Sequence, residues 1–206
     1  MAAKVPDPTP DQRRAIDRHL DELDLWNRRL NLTAVPRDQA WDRHVVESLE
    51  LLEAADLGEG ARCADLGSGG GIPGLVVAVV RPDLSMTLIE SDRRKAGFLV
   101  HVCGLLDLAN VIVAARRAEE MGADPAHRDS YDAVLSRAAA PPPLLCTLSM
   151  PLLRVGGALW ALVAPADASS ATTALAGDPA VRAERPSPGI LAVHKLSSGG
   201  IGDLRS

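Results

Sequence analysis

Five glycines fall within the eight residues Gly67–Gly74, inside the run Asp65-Leu66-Gly67-Ser68-Gly69-Gly70-Gly71-Ile72-Pro73-Gly74. Glycine carries a backbone-entropy cost of roughly 0.5–1 kcal/mol per residue in regular structure, and this run offers little to a hydrophobic core. A chain keeps such a segment where its backbone must turn sharply and approach a ligand closely. The flanks narrow the reading further. Cys63–Leu66 reads as a short strand, and Gly74–Val80 as an apolar helix broken by Arg81-Pro82-Asp83. Strand, glycine turn and helix in that order open a βαβ unit.

The alternation continues. Ser85–Glu90 reads as a strand, Arg93–Leu106 as a helix with Phe98, Val102 and Leu105 on one face, and Val111–Ala114 as a strand. A short helix or turn at Ala118–Met121 precedes a strand at Tyr131–Ser136. Pro142–Leu153 is a helix entered through three prolines, which fit only before or in its first turn. Gly156-Gly157 reads as a turn, Ala158–Val163 as a strand and Ala168–Ala176 as a helix. Val181–Glu184 and Ile190–Leu196 are the last candidate strands, and Gly199-Gly200 is expected to fray. The expectation is α/β: a mostly parallel seven-stranded sheet with helices on both faces.

Before this lies an N-terminal helical segment, residues 1–60, ahead of a domain at 61–206; the two are expected to form one compact unit. The first ten residues hold three prolines and should be loose. Ile16, Leu20, Leu23 and Trp26 then recur on one helix face, with Thr9 or Asp11 as the cap. Asn27–Arg37 is polar. Asp38 can cap a second helix with a Trp41, Val45, Leu49 and Leu52 stripe, ended by Gly58 and Gly60.

Composition removes several classes of function. The aromatic residues are Trp26, Trp41, Phe98, Tyr131 and Trp160 alone, so the core must be aliphatic and an RNA reader built on stacked aromatics is excluded. Net charge is −5. Residues 1–60 hold 8 basic and 13 acidic side chains, residues 61–137 hold 9 and 10, and residues 138–206 hold 5 and 4. An RNA partner would therefore meet a local basic patch on an acidic protein. Cys63, Cys103 and Cys146 are odd in number and lack C-x-x-C spacing, which argues against a disulfide framework and a protein-only zinc site. The start has no apolar signal region, and the longest mostly apolar run, Ile72–Val80, is interrupted by Pro73 and Gly74. A soluble cytoplasmic protein, with no metal and no membrane association, is expected.

Glu90 ends the second strand, 23 residues after Gly67. A carboxylate there can accept both ribose hydroxyls of a nucleoside cofactor. A nicotinamide dinucleotide and S-adenosylmethionine both fit, as does a glycine turn without a ligand. Asp65 favours S-adenosylmethionine, because it can attract an ammonium group, often through water, whereas it would repel a pyrophosphate.

Several ordered stretches resemble the bacterial 16S ribosomal RNA guanine-N7 methyltransferases of the RsmG (GidB) type. Trp26-Asn27-Arg28-Arg29-Leu30-Asn31-Leu32-Thr33 is similar to the family's entry segment. Arg43-His44-Val45-Val46-Glu47-Ser48-Leu49 resembles its basic-His-x-x-Asp-Ser-Leu segment, with Glu47 in place of Asp. Asp65–Gly74 with Arg81-Pro82 looks like its cofactor loop, and Arg117-Ala118-Glu119-Glu120 and Ser136-Arg137-Ala138 like two later signatures. The resemblance runs from about Leu23 to Leu196. It implies a Rossmann-like class I fold, S-adenosylmethionine as cofactor and methyl transfer to N7 of a guanosine in the 530 loop of the small ribosomal subunit's rRNA; apart from the resemblance, a monomer is expected.

By the same resemblance, Gly67, Ile72, Ala118, Glu119 and Arg137 contact the cofactor, and Glu90 and Ser91 lie beside ribose and adenine. Asp65, Ser68, Gly69 and Gly71 belong to the same loop. Asn31, Arg43, His44 and Ser48 lie near the mouth of the site, and Arg94 and Lys95 can grip RNA phosphate. Some stretches depart from the pattern, and Ala138-Ala139-Ala140-Pro141-Pro142 keeps the shape of the family's Arg-Ala-x-Ala-Pro but not every side chain. Ser91-Asp92-Arg93-Arg94-Lys95 replaces Ser-Leu-Gly-Lys-Arg, and Leu162-Val163-Ala164-Pro165 replaces a Leu-Lys-Gly, with loss of a lysine.

Guanine N7 carries a free lone pair, so its methylation needs alignment and charge stabilisation and no general base. Arg137 is the candidate catalytic residue; it can hold the donor's carboxylate, a phosphate or guanine O6, or simply cap a helix. Glu119 can accept from an adenine amine or be an exposed helix-start residue. The basic run at 93–95 can grip phosphate or be a solvated face. His44 is as well explained by a satisfied buried position, and Trp26 is better read as a core anchor than as a stacking platform. Two alternatives stay open: a methyltransferase of this fold acting on a small molecule or protein, and a non-catalytic cofactor-binding homologue.

Overall fold

The computed structural model describes residues 7–137 and 139–198. Expectations for residues 1–6, Ala138 and Gly199-Gly200 concern positions outside the described residues. Seven strands, β1 (Arg62–Leu66), β2 (Ser85–Ile89), β3 (Val111–Ala114), β4 (Tyr131–Arg137), β5 (Leu153–Leu162), β6 (Val181–Ser187) and β7 (Ile190–Lys195), form one sheet. Their order is β3-β2-β1-β4-β5-β7-β6. The first five run parallel, while β7 is antiparallel to both β5 and β6. The order reverses beside β1, and in such sheets the crevice outside the carboxyl ends at that point takes the ligand.

Helices α1 (Pro10–Leu30), α2 (Glu47–Ala55), α3 (Gly74–Val80) and α4 (Arg93–Leu105) cover one face of the sheet; α5 (Ala118–Ala123), α6 (Pro142–Ser149) and α7 (Pro165–Ala174) cover the other. Strand alternation makes this possible: Ala133 and Leu135 of β4 enter the first core and Val134 the second. Ile16, Leu20 and Leu23 of α1 are buried in the same core as Leu75, Val76 and Leu88. Each contributes about 1.5–3 kcal/mol by leaving water, so the N-terminal helices are packed onto the sheet face. Thr9 is the cap of α1, in a reciprocal pair with Gln12. Trp26 packs against Phe98 at a ring-centroid distance of 5.7 Å, clamping α1 to α4. Among the described residues no helix is long and apolar enough to cross a membrane.

Three local expectations need correction. The second helix is not one continuous α-helix capped by Asp38. It opens with a 3-10 turn at Arg37–Gln39, passes through a wider π-helical stretch at Trp41–Val46 and only then becomes α2, ended by Asp56 in the left-handed region. The extra residue per turn rotates the stripe, so His44, Val45, Ser48, Leu51 and Leu52 are buried while Trp41 and Leu49 are half-buried. The helix from Pro142 stops at Ser149 rather than Leu153, because Leu153 is drawn into β5 opposite Tyr131. Gly156-Gly157 is not a turn before β5 but lies within it, where the register with β4 slips between Tyr131 and Ala133. A Cβ on Gly157 would lie 2.9 Å from the carbonyl oxygens of both Tyr131 and Asp132, so only glycine permits that approach.

Candidate functional site

The glycine loop leaves β1 at the carboxyl edge of the sheet. Gly67 and Ser68 donate their N–H groups to the carbonyl of Ile89 at 2.9 and 3.1 Å, tying the loop to the end of β2. Gly67 has φ +71°, and a Cβ there would sit 2.5 Å from the Cβ of Ala139. Beneath the loop Asp65 is fully buried, and one carboxylate oxygen accepts the Gly74 N–H at 3.1 Å. Its other oxygen has no partner. Burial pushes the Asp65 carboxyl up to about 7, against the Gly74 N–H, which favours the charged form.

Glu90 follows β2, and its two carboxylate oxygens accept the N–H groups of Gly69 (2.9 Å) and Asp92 (2.8 Å). Each oxygen keeps a lone pair for a further donor. Around this carboxylate opens a cavity of about 530 Å³, lined among others by Ser68, Gly69, Ile72, Glu90, Lys95 and Arg137. A smaller lobe of about 250 Å³ is lined by Ala118, Glu119 and Leu145 among others. The two share Gly67, Ser91 and Ala139.

Arg137 ends β4 with a largely buried side chain. Its guanidinium donates to Nδ1 of His44, and its other terminal nitrogen lies 3.4 Å from the Glu47 carboxylate. Nδ1 must therefore be the bare nitrogen of His44, and Nε2–H faces Thr33 Oγ1 at 3.0 Å. Burial first, and the Arg137 cation second, lower His44 to about 4, so the ring is neutral at pH 7. Burial also lowers Arg137, opposed by Glu47. Arg43 binds Glu47 from the other side at 2.8 Å. A third cavity, about 1020 Å³, shares Arg137 with the first and is lined by Arg43, Glu47, Leu162, Pro165 and Ile190 among others.

The fold thus gathers Gly67, Ser68, Gly69, Ile72, Glu90, Ser91, Ala118, Glu119, Lys95, His44 and Arg137 around two joined lobes, and Arg43 around the third cavity. Five predicted residues lie elsewhere, and one is Asp65, fully buried beneath the loop and lining none of the three cavities. Ser48 is fully buried and its hydroxyl donates to the His44 carbonyl, so it cannot touch RNA. Gly71 is buried under the loop. Asn31 is the exposed left-handed end of α1. Arg94 is exposed and turned back onto Asp92, 3.1 Å away.

Sequence reasoning missed the braces of the site. His19 is buried, and its Nε2–H donates to the carbonyl of Gly70 at 2.7 Å; burial lowers this ring to about 4 as well. Its one sequence signal is a place on the Ile16, Leu20, Leu23 face. The Asn27 carboxamide accepts the N–H groups of Leu32 (2.6 Å) and Thr33 (3.0 Å) and donates to the Thr33 carbonyl (2.8 Å), fixing the segment that aims Thr33 at His44.

The arrangement fits S-adenosylmethionine. The Glu90 carboxylate suits ribose hydroxyls, the smaller lobe has room for a planar base, and one oxygen of Asp65 is left without a partner beneath the loop. Among the described residues no group of three or more His, Cys, Asp or Glu side chains is placed to hold a metal ion.

Residues 12–174 match the family model described as rRNA small subunit methyltransferase G. A protein of Roseiflexus castenholzii named ribosomal RNA small subunit methyltransferase G is 42% identical over 142 residues, covering 68% of this chain and 60% of that protein. A protein of the same name from Desulforamulus reducens is 32% identical over 208 residues, covering 97% and 82%. The chain thus spans 60% of the length of the first of these relatives. The crystal structure of a putative S-adenosyl-L-methionine-dependent methyltransferase from Methanococcus maripaludis superposes with a TM-score of 0.60 over 89% of this chain and 94% of that one, at 10% identity. At that identity the likeness concerns the fold alone, the Rossmann-like class I fold.

Proposed function

The chain belongs to the rRNA small subunit methyltransferase G family, and on that premise we propose that it transfers a methyl group from S-adenosylmethionine to N7 of a guanosine in the 530 loop of 16S rRNA. It does so as a cytoplasmic monomer acting on the small ribosomal subunit, with residues 1–60 and 61–206 working as one unit. The observation that carries the proposal is the cavity around Glu90, flanked by a smaller one beside Ala118 and Glu119 and by a third that shares Arg137 with it.

The bound cofactor supplies an electrophilic sulfonium methyl. Guanine N7 already carries its lone pair, so no side chain has to remove a proton before attack. What the residues contribute is alignment. Glu90 accepts from the ribose hydroxyls, and the Gly67–Ile72 backbone shapes the wall beside the amino-acid tail. Ala118 and Glu119 meet the adenine. Arg137 holds O6, next to N7 on the same edge of the base. His44, neutral at pH 7, orients Arg137 without adding a second cation where positive charge moves onto the purine. Lys95, which has no ion-pair partner among the described residues, takes a phosphate at the rim.

The test is incubation with radiolabelled donor and small subunits from a strain lacking this gene, the label being mapped by cleavage at N7-methylguanosine. One labelled guanosine in the 530 loop is expected. Donor binding with no RNA label, or label in a non-RNA fraction, would refute the substrate.

A further inference from the structure

We infer that Glu47 reads the Watson–Crick edge of the target guanine, with Arg137 beside it on O6, so that this pair makes the site selective for guanine over adenine. The inference rests on the guanine-N7 reading above and names the residue that selects the base.

The third cavity is where a base can enter, because it meets the donor cavity at Arg137. Leu162, Pro165, Pro188 and Ile190 supply flat apolar surface for a purine in a chain with few aromatic residues. The charges of its lining are unusual for a site that receives RNA. Its two cations, Arg43 and Arg137, are both engaged by Glu47, at 2.8 and 3.4 Å. Glu50 and Glu53 line it too and have no ion-pair partner among the described residues. The family-like lysine that would have added a cation here is replaced by the Val163-Ala164-Pro165 stretch, which is itself part of the wall. Two cations and three carboxylates repel a phosphate and attract a group that donates hydrogen.

Guanine is such a group on one edge only. N7 and O6 are acceptors side by side, and N1–H and the 2-amino group are donors beyond O6. With N7 turned toward the donor cavity, O6 comes to the shared residue Arg137. N1–H and the 2-amino group come next, one toward each oxygen of the carboxylate that Arg137 already touches. Adenine in the same pose would set its amino group against the guanidinium and a bare N1 against the carboxylate, leaving two buried polar groups in conflict. Methyl transfer also leaves positive charge on the purine, which strengthens the bond from N1–H to Glu47 in the transition state.

The experiment uses full-length Glu47→Gln and Glu47→Asp with small subunits carrying guanosine or inosine at the target, and calorimetry with S-adenosylhomocysteine. Glu47→Gln should lose roughly 10- to 100-fold in kcat/KM on guanosine, the loss of a charge-assisted hydrogen bond, with product affinity within about twofold of wild type. Glu47→Asp should recover most of the rate. Inosine, which lacks the 2-amino group, should slow the wild type but slow Glu47→Gln little further, because both changes remove one shared contact. A Glu47→Gln rate equal to wild type, fully additive losses, or a parallel fall in product affinity would overturn the inference while wild-type labelling of guanosine left the broader reading intact. A wild type that binds donor and labels no guanosine would overturn both.

Discussion

Replacing His19 by phenylalanine removes the one side chain that holds the Gly70 carbonyl while nearly preserving volume. The carbonyl is buried, so losing its donor should cost about 1–3 kcal/mol at pH 7.5. The pH dependence gives the sharper test. His19 titrates near 6.5 when unfolded and at about 4 when folded. Between these values the unfolded chain binds a proton that the folded chain refuses, so wild-type stability rises with pH across that window and is lost as pH falls. At pH 5 the loss from this residue is about 2 kcal/mol. Phenylalanine cannot be protonated and escapes that loss. Other titrating groups act alike in both proteins and cancel in the difference. Urea unfolding at pH 7.5 and pH 5 should therefore show the wild type ahead by about 2 kcal/mol at the higher pH and the gap nearly closed at the lower. Parallel curves with a constant gap would refute the reasoning, because His19 would then be protonated or exposed in the folded protein.

Gly67→Val should abolish binding of S-adenosylhomocysteine by calorimetry, since φ +71° and the 2.5 Å approach to Ala139 leave no room for a branched side chain without moving the loop. Asp65→Asn should flatten the opposite slope. With the folded carboxyl raised to about 7, the wild type loses stability as pH rises from 3.8 to 7, so the apo variant should gain on it in urea unfolding at pH 8. The same variant should bind donor more weakly. Lys195→Met should lower stability by about 3 kcal/mol, because the buried ammonium donates to Asp129, Met150 and Leu153 at 2.5, 2.9 and 2.7 Å; donor affinity, read by calorimetry, should not change.

Where forces are local, sequence and structure agree closely. The helix at Gly74–Val80 and the strand at Val111–Ala114 have the bounds read from the chain, set by glycine, proline and a short aliphatic run. Glu90 was legible because its spacing from Gly67 is the length of one crossover. The long helix expected from Pro142 was misread for a tertiary reason. Pro151-Leu152-Leu153 continues the apolar run, and only pairing with Tyr131 makes Leu153 a strand residue. The π-helical stretch at Trp41–Val46 carries no composition mark, and it sets which residues of that segment are buried.

From the chain alone come the order of strands and helices, the ligand-approaching loop, the carboxylate that follows it and the family. These depend on neighbours within about two turns or on a fixed crossover length. The braces of the site depend on contacts between residues far apart in sequence. His19 meets Gly70 across 51 positions, and Arg137 meets His44 across 93. Periodicity could mark His19 as a buried position on α1, but it could not reveal which carbonyl that ring would hold. Nor could it show that Glu47 would stand between two arginines at the junction of the cavities. Packing of α1 and the wider turn onto the sheet decided both, because a buried polar atom takes the partner that the fold brings within reach.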